Sequence, residues 1–134
     1  MEIMEIQALA VRYGKAWAAR DLDAIMALHT EDTVFQVHGD NGTPATGATA
    51  VREAFEDVLA RQPDLRFEMR RAYFGEAHFV TEYVMSGTVD GKPFTCDGVD
   101  VMSVRDGRIA RKDSYADWIV YARQVGLPSA ADAM

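Results

Sequence analysis

The sequence predicts an α+β fold, a curved antiparallel sheet wrapped around N-terminal helices. Three observations predict it. Apolar residues recur at helical spacing through the first part of the chain. From Leu65 onward apolar and polar residues alternate, which is the period of a half-buried strand. Two Asp-Gly pairs, Asp90-Gly91 and Asp106-Gly107, fall between such runs and signal tight hairpins. Helices gather early and strands late, which argues for segregated elements rather than alternating βαβ units.

The elements follow in order. Residues 3–19 place Ile6, Ala10, Tyr13 and Trp17 on one helical face, with Leu9 and Ala16 beside them. Asp21 is the expected N-cap of a short helix carrying Leu22, Ile25 and Leu28. The stretch Thr33 to His38 is rich in strand formers, and residues 39–44 form a turn or loop. Val51, Phe55, Val58 and Leu59 mark a third helix, which must end before Pro63. Leu65, Phe67 and Met69 then share one strand face, and Phe79, Thr81, Tyr83 and Met85 another. With the two hairpin signals, the strands from residue 65 onward read as an antiparallel meander. Asp117 is positioned to cap a last short helix with Trp118, Tyr121 and Val125, and a loose tail is expected after Gly126.

A chain of 134 residues is read as one domain, with its core at about residues 5–122. The hydrophobic fraction of 49% fits a packed core rather than a disordered chain. No apolar run reaches the roughly 18 residues of a membrane span, so no membrane association is expected. The acidic start lacks the pattern of a signal peptide, which gives the expectation of a cytoplasmic protein. A single cysteine, Cys96, excludes an internal disulfide framework. A net charge of −7 argues against nucleic acid as a partner, since phosphate binding needs a basic surface.

The order of elements resembles the nuclear-transport-factor-2-like superfamily, in particular its SnoaL-like branch. That superfamily includes ketosteroid isomerases, polyketide cyclases and limonene-epoxide hydrolases. The aromatic first helix followed by RDLDAIMALHTEDTVF carries the resemblance, with TGATAVREAF, GVDVMSVRDGRI and the KDSYADW ending. It implies a cone-shaped α+β barrel with a deep apolar pocket, packed as a homodimer through the sheet. It does not by itself fix a chemistry, because this fold hosts many.

Carried over position by position, the resemblance nominates three catalytic residues. Tyr13 lies at the place of the isomerase tyrosine that donates a hydrogen bond to the developing oxyanion. Asp100 lies at the place of the second oxyanion donor, an aspartic acid kept protonated by apolar surroundings, here Val99, Val101 and Met102. Asp113 resembles the general acid/base of the polyketide cyclases. Each has a plainer reading: a core tyrosine, an aspartate that only satisfies Tyr13, and half of a rim ion pair with Arg111. The isomerase's base is missing, because its position falls on Val37, between Gln36 and His38. The hydrolase set is broken as well. Phe35 and Val37 replace the residues that hold the nucleophilic water, and Tyr83 and Met85 replace its charged pair.

Strand alternation links these candidates into faces. If Asp113 faces the pocket, so do Arg111 and Tyr115, while Lys112 and Ser114 face out. If Asp100 faces in, so do Gly98 and Met102. Gly98 then leaves room for a ligand or only relieves sheet curvature. Arg111 is positioned to pair with Asp113 or to hold an acidic substrate. Trp17, Phe35, Phe55, Leu59, Tyr83, Met85, Met102, Tyr115 and Trp118 complete the candidate lining. Singly each fits a core position, and together they imply a pocket for a planar or hydrophobic small molecule.

His29, His38 and His78 lie in different elements without metal-ligand spacing, so no metal is expected, and no phosphate-binding loop or nucleophile elbow is present. Cys96 reads as a buried strand cysteine. The leading expectation is a cofactor-independent isomerase or aldol-type cyclase of a hydrophobic carbonyl compound, with Asp113 as base and Tyr13 and Asp100 stabilising an enolate. A non-catalytic hydrophobic-ligand or dimerisation module is the alternative. A third reading, an epoxide hydrolase with a rearranged water site, requires Gln36 or His38 inside the pocket.

Overall fold

The computed structural model describes residues 2–39 and 43–128, so the end of the expected loose tail lies outside the described residues. Helix α1, Ile3–Ala18, buries Ile6, Leu9, Tyr13 and Ala16, a stripe at helical spacing. Helix α2, Leu22–Ala27, begins where expected, with the Asp21 carboxylate accepting from the Ala24 amide at 3.1 Å. Strand β1, His29–Val37, starts four residues earlier than strand-forming composition suggested. Strand β2, Ala45–Thr46, was not foreseen: a two-residue edge is too short to leave a pattern. Helix α3 spans Ala48–Arg61 and ends before Pro63, as expected. The Arg20 guanidinium reaches the end of α3 and donates to the carbonyls of Leu59, at 2.6 Å, and Gln62, at 3.2 Å.

The later strands form the expected meander: β3 Arg66–Phe74, β4 His78–Val89, β5 Lys92–Arg105 and β6 Arg108–Ala116. Both hairpin turns have positive φ at their Asp and Gly, at 50° and 77° for Asp90-Gly91 and 54° and 76° for Asp106-Gly107. Those angles match the right-handed twist of the flanking strands. Helix α4, Trp118–Val125, is capped by Asp117, which accepts from the Val120 amide at 3.1 Å. The open six-stranded sheet runs β2-β1-β6-β5-β4-β3. Its one parallel contact joins β1 to β6, a long-range pairing that no local pattern encodes. No helix of the described residues is long and apolar enough to cross a membrane.

Helices α1 and α3 cover the inner face of the sheet, where Phe55, Phe79, Met102 and Ile109 are buried. A second apolar cluster, around Tyr83, Met85, Phe94 and Tyr121, sits under α4. The outer face carries the half-buried valines Val80, Val84, Val99 and Val101.

Candidate functional site

Cross-strand register decides which side chains meet. Tyr83 stands opposite Gly98, Thr81 opposite Asp100, Asp100 opposite Ser114, and Met102 opposite Lys112. Directly opposed residues share a face, so Asp100, Met102 and Lys112 all point inward. Between Ile109 and Arg111, β6 takes two steps against one step of β5, from Val104 to Ser103. Ala110 is the extra residue of this bulge. It puts Ile109 and Lys112 on the same inner face although they are three apart. Asp113, Arg111 and Tyr115 therefore lie on the outer face, which corrects the expectation that they line the pocket.

Inside, α1 and the sheet enclose a cavity of about 40 Å³ lined by Tyr13, Trp17, Phe67, Met69, Phe79, Thr81, Asp100, Met102 and Lys112, with Ala10 and Gly14. Its mouth opens between α1 and β3 onto a broad surface groove that shares Ala10, Gly14, Trp17, Phe67, Met69 and Thr81. Polar groups run along one wall as a chain. Thr33 Oγ1 lies 2.8 Å from His29 Nδ1, and His29 Nε2 lies 2.9 Å from Tyr13 Oη. Lys112 Nζ donates to Tyr13 Oη at 3.2 Å and stands 3.8 Å from Asp100 Oδ2. Tyr83 Oη donates to Asp100 Oδ1 at 2.9 Å. The Lys112 ammonium also faces four rings, Trp17 at 4.4 Å, Tyr13 at 4.9 Å, Phe55 at 5.1 Å and Phe35 at 5.9 Å from their centroids. Ring faces are negative, so this cage holds the cation where bulk water is absent.

Burial sets the protonation states. It depresses the His29 pKa to about 3, with the Lys112 charge pushing the same way, so His29 is neutral. Burial raises the Tyr13 pKa even though the Lys112 charge pulls it down. It raises that of Tyr83 too, reinforced by the Asp100 carboxylate. Both phenols therefore stay protonated at neutral pH. A neutral imidazole has one N–H, so the Thr33–His29–Tyr13 chain has two senses. With the proton on Nδ1, His29 donates to Thr33 and accepts the Tyr13 proton. With the proton on Nε2, Thr33 donates to Nδ1 and His29 donates to Tyr13. In that second sense the Tyr13 oxygen accepts from both His29 and Lys112, and its own proton is free for a ligand.

The outer face holds a separate network. Arg111 grips Asp113 through Nε at 2.9 Å and an η nitrogen at 3.0 Å, and that η nitrogen also reaches Gln36 Oε1 at 2.8 Å. His38 Nε2 lies 2.7 Å from Asp113 Oδ1, and the His38 ring stacks on Tyr115 at 4.2 Å. Burial pushes the Asp113 pKa up, but the hydrogen bonds from Arg111 and His38 outweigh it and leave the carboxyl below its ordinary value. Gln36 and His38 are thus both outside the pocket, and the rearranged hydrolase reading is withdrawn.

The other candidates divide. Trp17 and Met102 line the cavity, and the Phe35 and Phe55 rings form the far side of the Lys112 cage. Val37 shares the inner face by pairing with Ser114. Leu59 contributes its carbonyl to Arg20 and does not line the cavity. Met85 and Trp118 belong to the cluster under α4, and the Trp118 indole donates to the His38 carbonyl at 2.8 Å. Gly98 leaves no room for a ligand, because the Tyr83 ring lies against it and a Cβ there would sit 2.5 Å from Tyr83 Cε1. Cys96 is buried, which lifts its thiol pKa to about 11. Among the described residues, no three His, Cys, Asp or Glu side chains converge as metal ligands would. Sequence reasoning missed Lys112, His29 and Thr33. His29 had a signal, a histidine next to a threonine at the start of a buried strand, whereas Lys112 had none short of the bulge.

The sequence model of the SnoaL-like domain matches residues 10–112. No curated protein is similar enough in sequence to match. Solved structures are similar in fold. A hypothetical protein of ketosteroid isomerase-like fold from Catenulispora acidiphila, in complex with trimethylamine, superposes with a TM-score of 0.79 at 22% identity, over 92% of this chain and 95% of that one. An LEH-like epoxide hydrolase from M. tuberculosis gives 0.79 at 18% identity, over 93% and 92%. An NTF2-like protein of unknown function from Burkholderia pseudomallei gives 0.79 at 19% identity, over 93% and 98%. At these identities the likeness is one of fold alone.

Proposed function

The chain belongs to the SnoaL-like domain family, and from that membership we propose that it is a small-molecule enzyme, one that moves a proton within its apolar cavity. The substrate is a hydrophobic carbonyl compound whose body lies in the adjoining groove, because the cavity itself admits only the carbonyl end. The observation that carries this reading is that a carboxylate, Asp100, and a phenol, Tyr13, line one cavity and meet through the same ammonium group. The base role expected of Asp113 passes to Asp100, since Asp113 is held by Arg111 and His38 on the outer face.

Asp100 takes a proton from the carbon next to the carbonyl. The oxygen gains charge against the Tyr13 proton, in the sense of the hydrogen-bond chain that frees it. One such donor is worth about 3 kcal/mol of transition-state stabilisation. Return of the proton at a different carbon completes an isomerisation. Attack of the enolate carbon on a second carbonyl of the same molecule completes an aldol cyclisation. The test is deuterium exchange into a panel of cyclic ketones and 1,3-diketones in heavy water, followed by NMR. Exchange above the buffer rate that disappears in Asp100→Asn supports the reading, and a panel with no enzyme-dependent exchange refutes it.

A second reading is favoured by the other sense of the chain, in which Tyr13 is satisfied internally by His29. The cavity would then hold a hydrophobic ligand without turning it over. In either case we propose that a second copy of the chain packs on the outer face, over the half-buried valines.

A further inference from the structure

We propose that Lys112 is the oxyanion-binding group of this cavity, which makes its ligands molecules that carry or develop negative charge on an oxygen. The proposal deepens the reading of the same cavity as the reactive site and rests on it.

Lys112 is 7% exposed, and its ammonium carries three donors. One is engaged, by Tyr13 Oη at 3.2 Å. Asp100 Oδ2, at 3.8 Å, lies beyond hydrogen-bond length. The ammonium's other neighbours are ring faces, which attract charge but accept weakly. The buried indole N–H of Trp17, on the same cavity, makes no well-formed hydrogen bond, although it lies close enough to Tyr13 to act on its phenol. The Lys112 ammonium therefore keeps donors that no acceptor in the cavity reaches, and leaving buried donors without a partner is costly. An oxygen with full or developing negative charge supplies what is missing. An alkylammonium ligand is excluded, because Lys112 already fills the aromatic cage.

The reaction has the same demand. As the C–H bond breaks, its proton passes to Asp100 and its electron pair moves onto the carbonyl oxygen. No electron leaves the pair of reactants, so no oxidant or cofactor enters. Negative charge shifts from Asp100 to an oxygen beside Tyr13, and both positions adjoin the same ammonium. The cavity keeps its net charge throughout, and Lys112 changes only the anion it faces. Preorganised charge of this kind needs no reorganisation at the moment of reaction.

The probe is 4-nitrophenol, whose absorbance distinguishes the bound phenol from the phenolate. Its neutral isostere 4-nitroanisole is the control. Wild-type protein should bind the phenol as its anion, its proton passing to Asp100, at a pH where the free phenol is largely protonated. Its affinity for the anisole should be weaker by on the order of tenfold or more. Lys112→Met should lose that preference and bind whatever it retains as the neutral form. Equal affinity for the two probes in the wild type, or phenolate binding unchanged in Lys112→Met, overturns the proposal. If the variant does not fold, the wild-type comparison decides alone. Deuterium exchange separates the two readings. Exchange without anion preference removes Lys112 and leaves Asp100 in place. Anion preference without exchange supports Lys112 and removes Asp100.

Discussion

Gly98→Ala tests the geometry behind Asp100 without touching a charged group. An added Cβ would stand 2.5 Å from Tyr83 Cε1, 2.7 Å from Cζ and 2.9 Å from Oη, all below van der Waals contact. The ring has little freedom to retreat. Tyr83 is 5% exposed, and its ring meets Phe67 edge-on at 5.1 Å. Any retreat also lifts the phenol from Asp100, which it holds at 2.9 Å. Overpacking of this kind costs about 1–3 kcal/mol, and a hydrogen bond lost from a buried carboxylate about 1.5–3 kcal/mol. Because one ring movement causes both losses, they do not add fully, and the expected total is about 2–5 kcal/mol. Urea unfolding at neutral pH should show a lower midpoint at an unchanged slope. On a Tyr83→Leu background, where no ring opposes the methyl group, the same change should cost less than about 1 kcal/mol. A Gly98→Ala protein within about 0.5 kcal/mol of the wild type would refute the placement of the Tyr83 ring over Gly98, and with it the anchoring of Asp100.

Asp113→Asn should leave ketone exchange near its wild-type rate while Asp100→Asn abolishes it; the reverse pattern in the exchange assay would restore Asp113 as the base. His29 ties stability to pH. Its folded pKa of about 3 lies below its ordinary 6.5, so the unfolded chain takes up the proton first. The contribution of neutral His29 is complete above about 6.5 and is lost as pH falls toward about 3. Across that window the wild type should lose about 1.4 kcal/mol per pH unit more than His29→Gln in denaturant titrations. Equal slopes would place His29 in a solvated setting. Val101→Lys puts a charge at the middle of the proposed self-association surface and should shift sedimentation velocity toward monomer while ketone exchange persists. A wild type that already sediments as a monomer at high concentration would remove that surface from consideration.

Local signals were strong where the chemistry of one short segment decides the outcome. The Asp21 and Asp117 caps, the helix stop before Pro63 and both Asp-Gly hairpins each follow from residues within a turn of the feature. The parallel contact of β1 with β6 joins segments some 75 residues apart, as in Gln36 with Asp113, and nothing local specifies it. The site failed to be legible for a sharper reason. Strict alternation along residues 109–115 makes Lys112 and Asp113 mutually exclusive occupants of the inner face. The apolar Ile109 is the natural anchor for that alternation, and it carries Arg111 and Asp113 inward with it. The bulge at Ala110 breaks the count after Ile109 and exchanges a carboxylate for an ammonium in the cavity wall.

That exchange explains why Asp100 is tolerable where it stands. A lone buried carboxylate is strongly unfavourable, whereas one facing an ammonium and accepting from a phenol is not. Had the bulge been absent, Asp100 and Asp113 would have faced the same cavity, and two carboxylates sharing an apolar site cannot both stay ionised. Such a wall suits a shared-proton dyad and gives a developing oxyanion no cation to face. With Lys112 in that place, the wall offers a base and a cation side by side, a pairing that suits enolate chemistry. The bulge therefore sets the type of reaction the cavity supports, and deletion of Ala110, which leaves Arg111 opposite Ser103 and Lys112 opposite Met102, should keep the anion preference where the protein still folds.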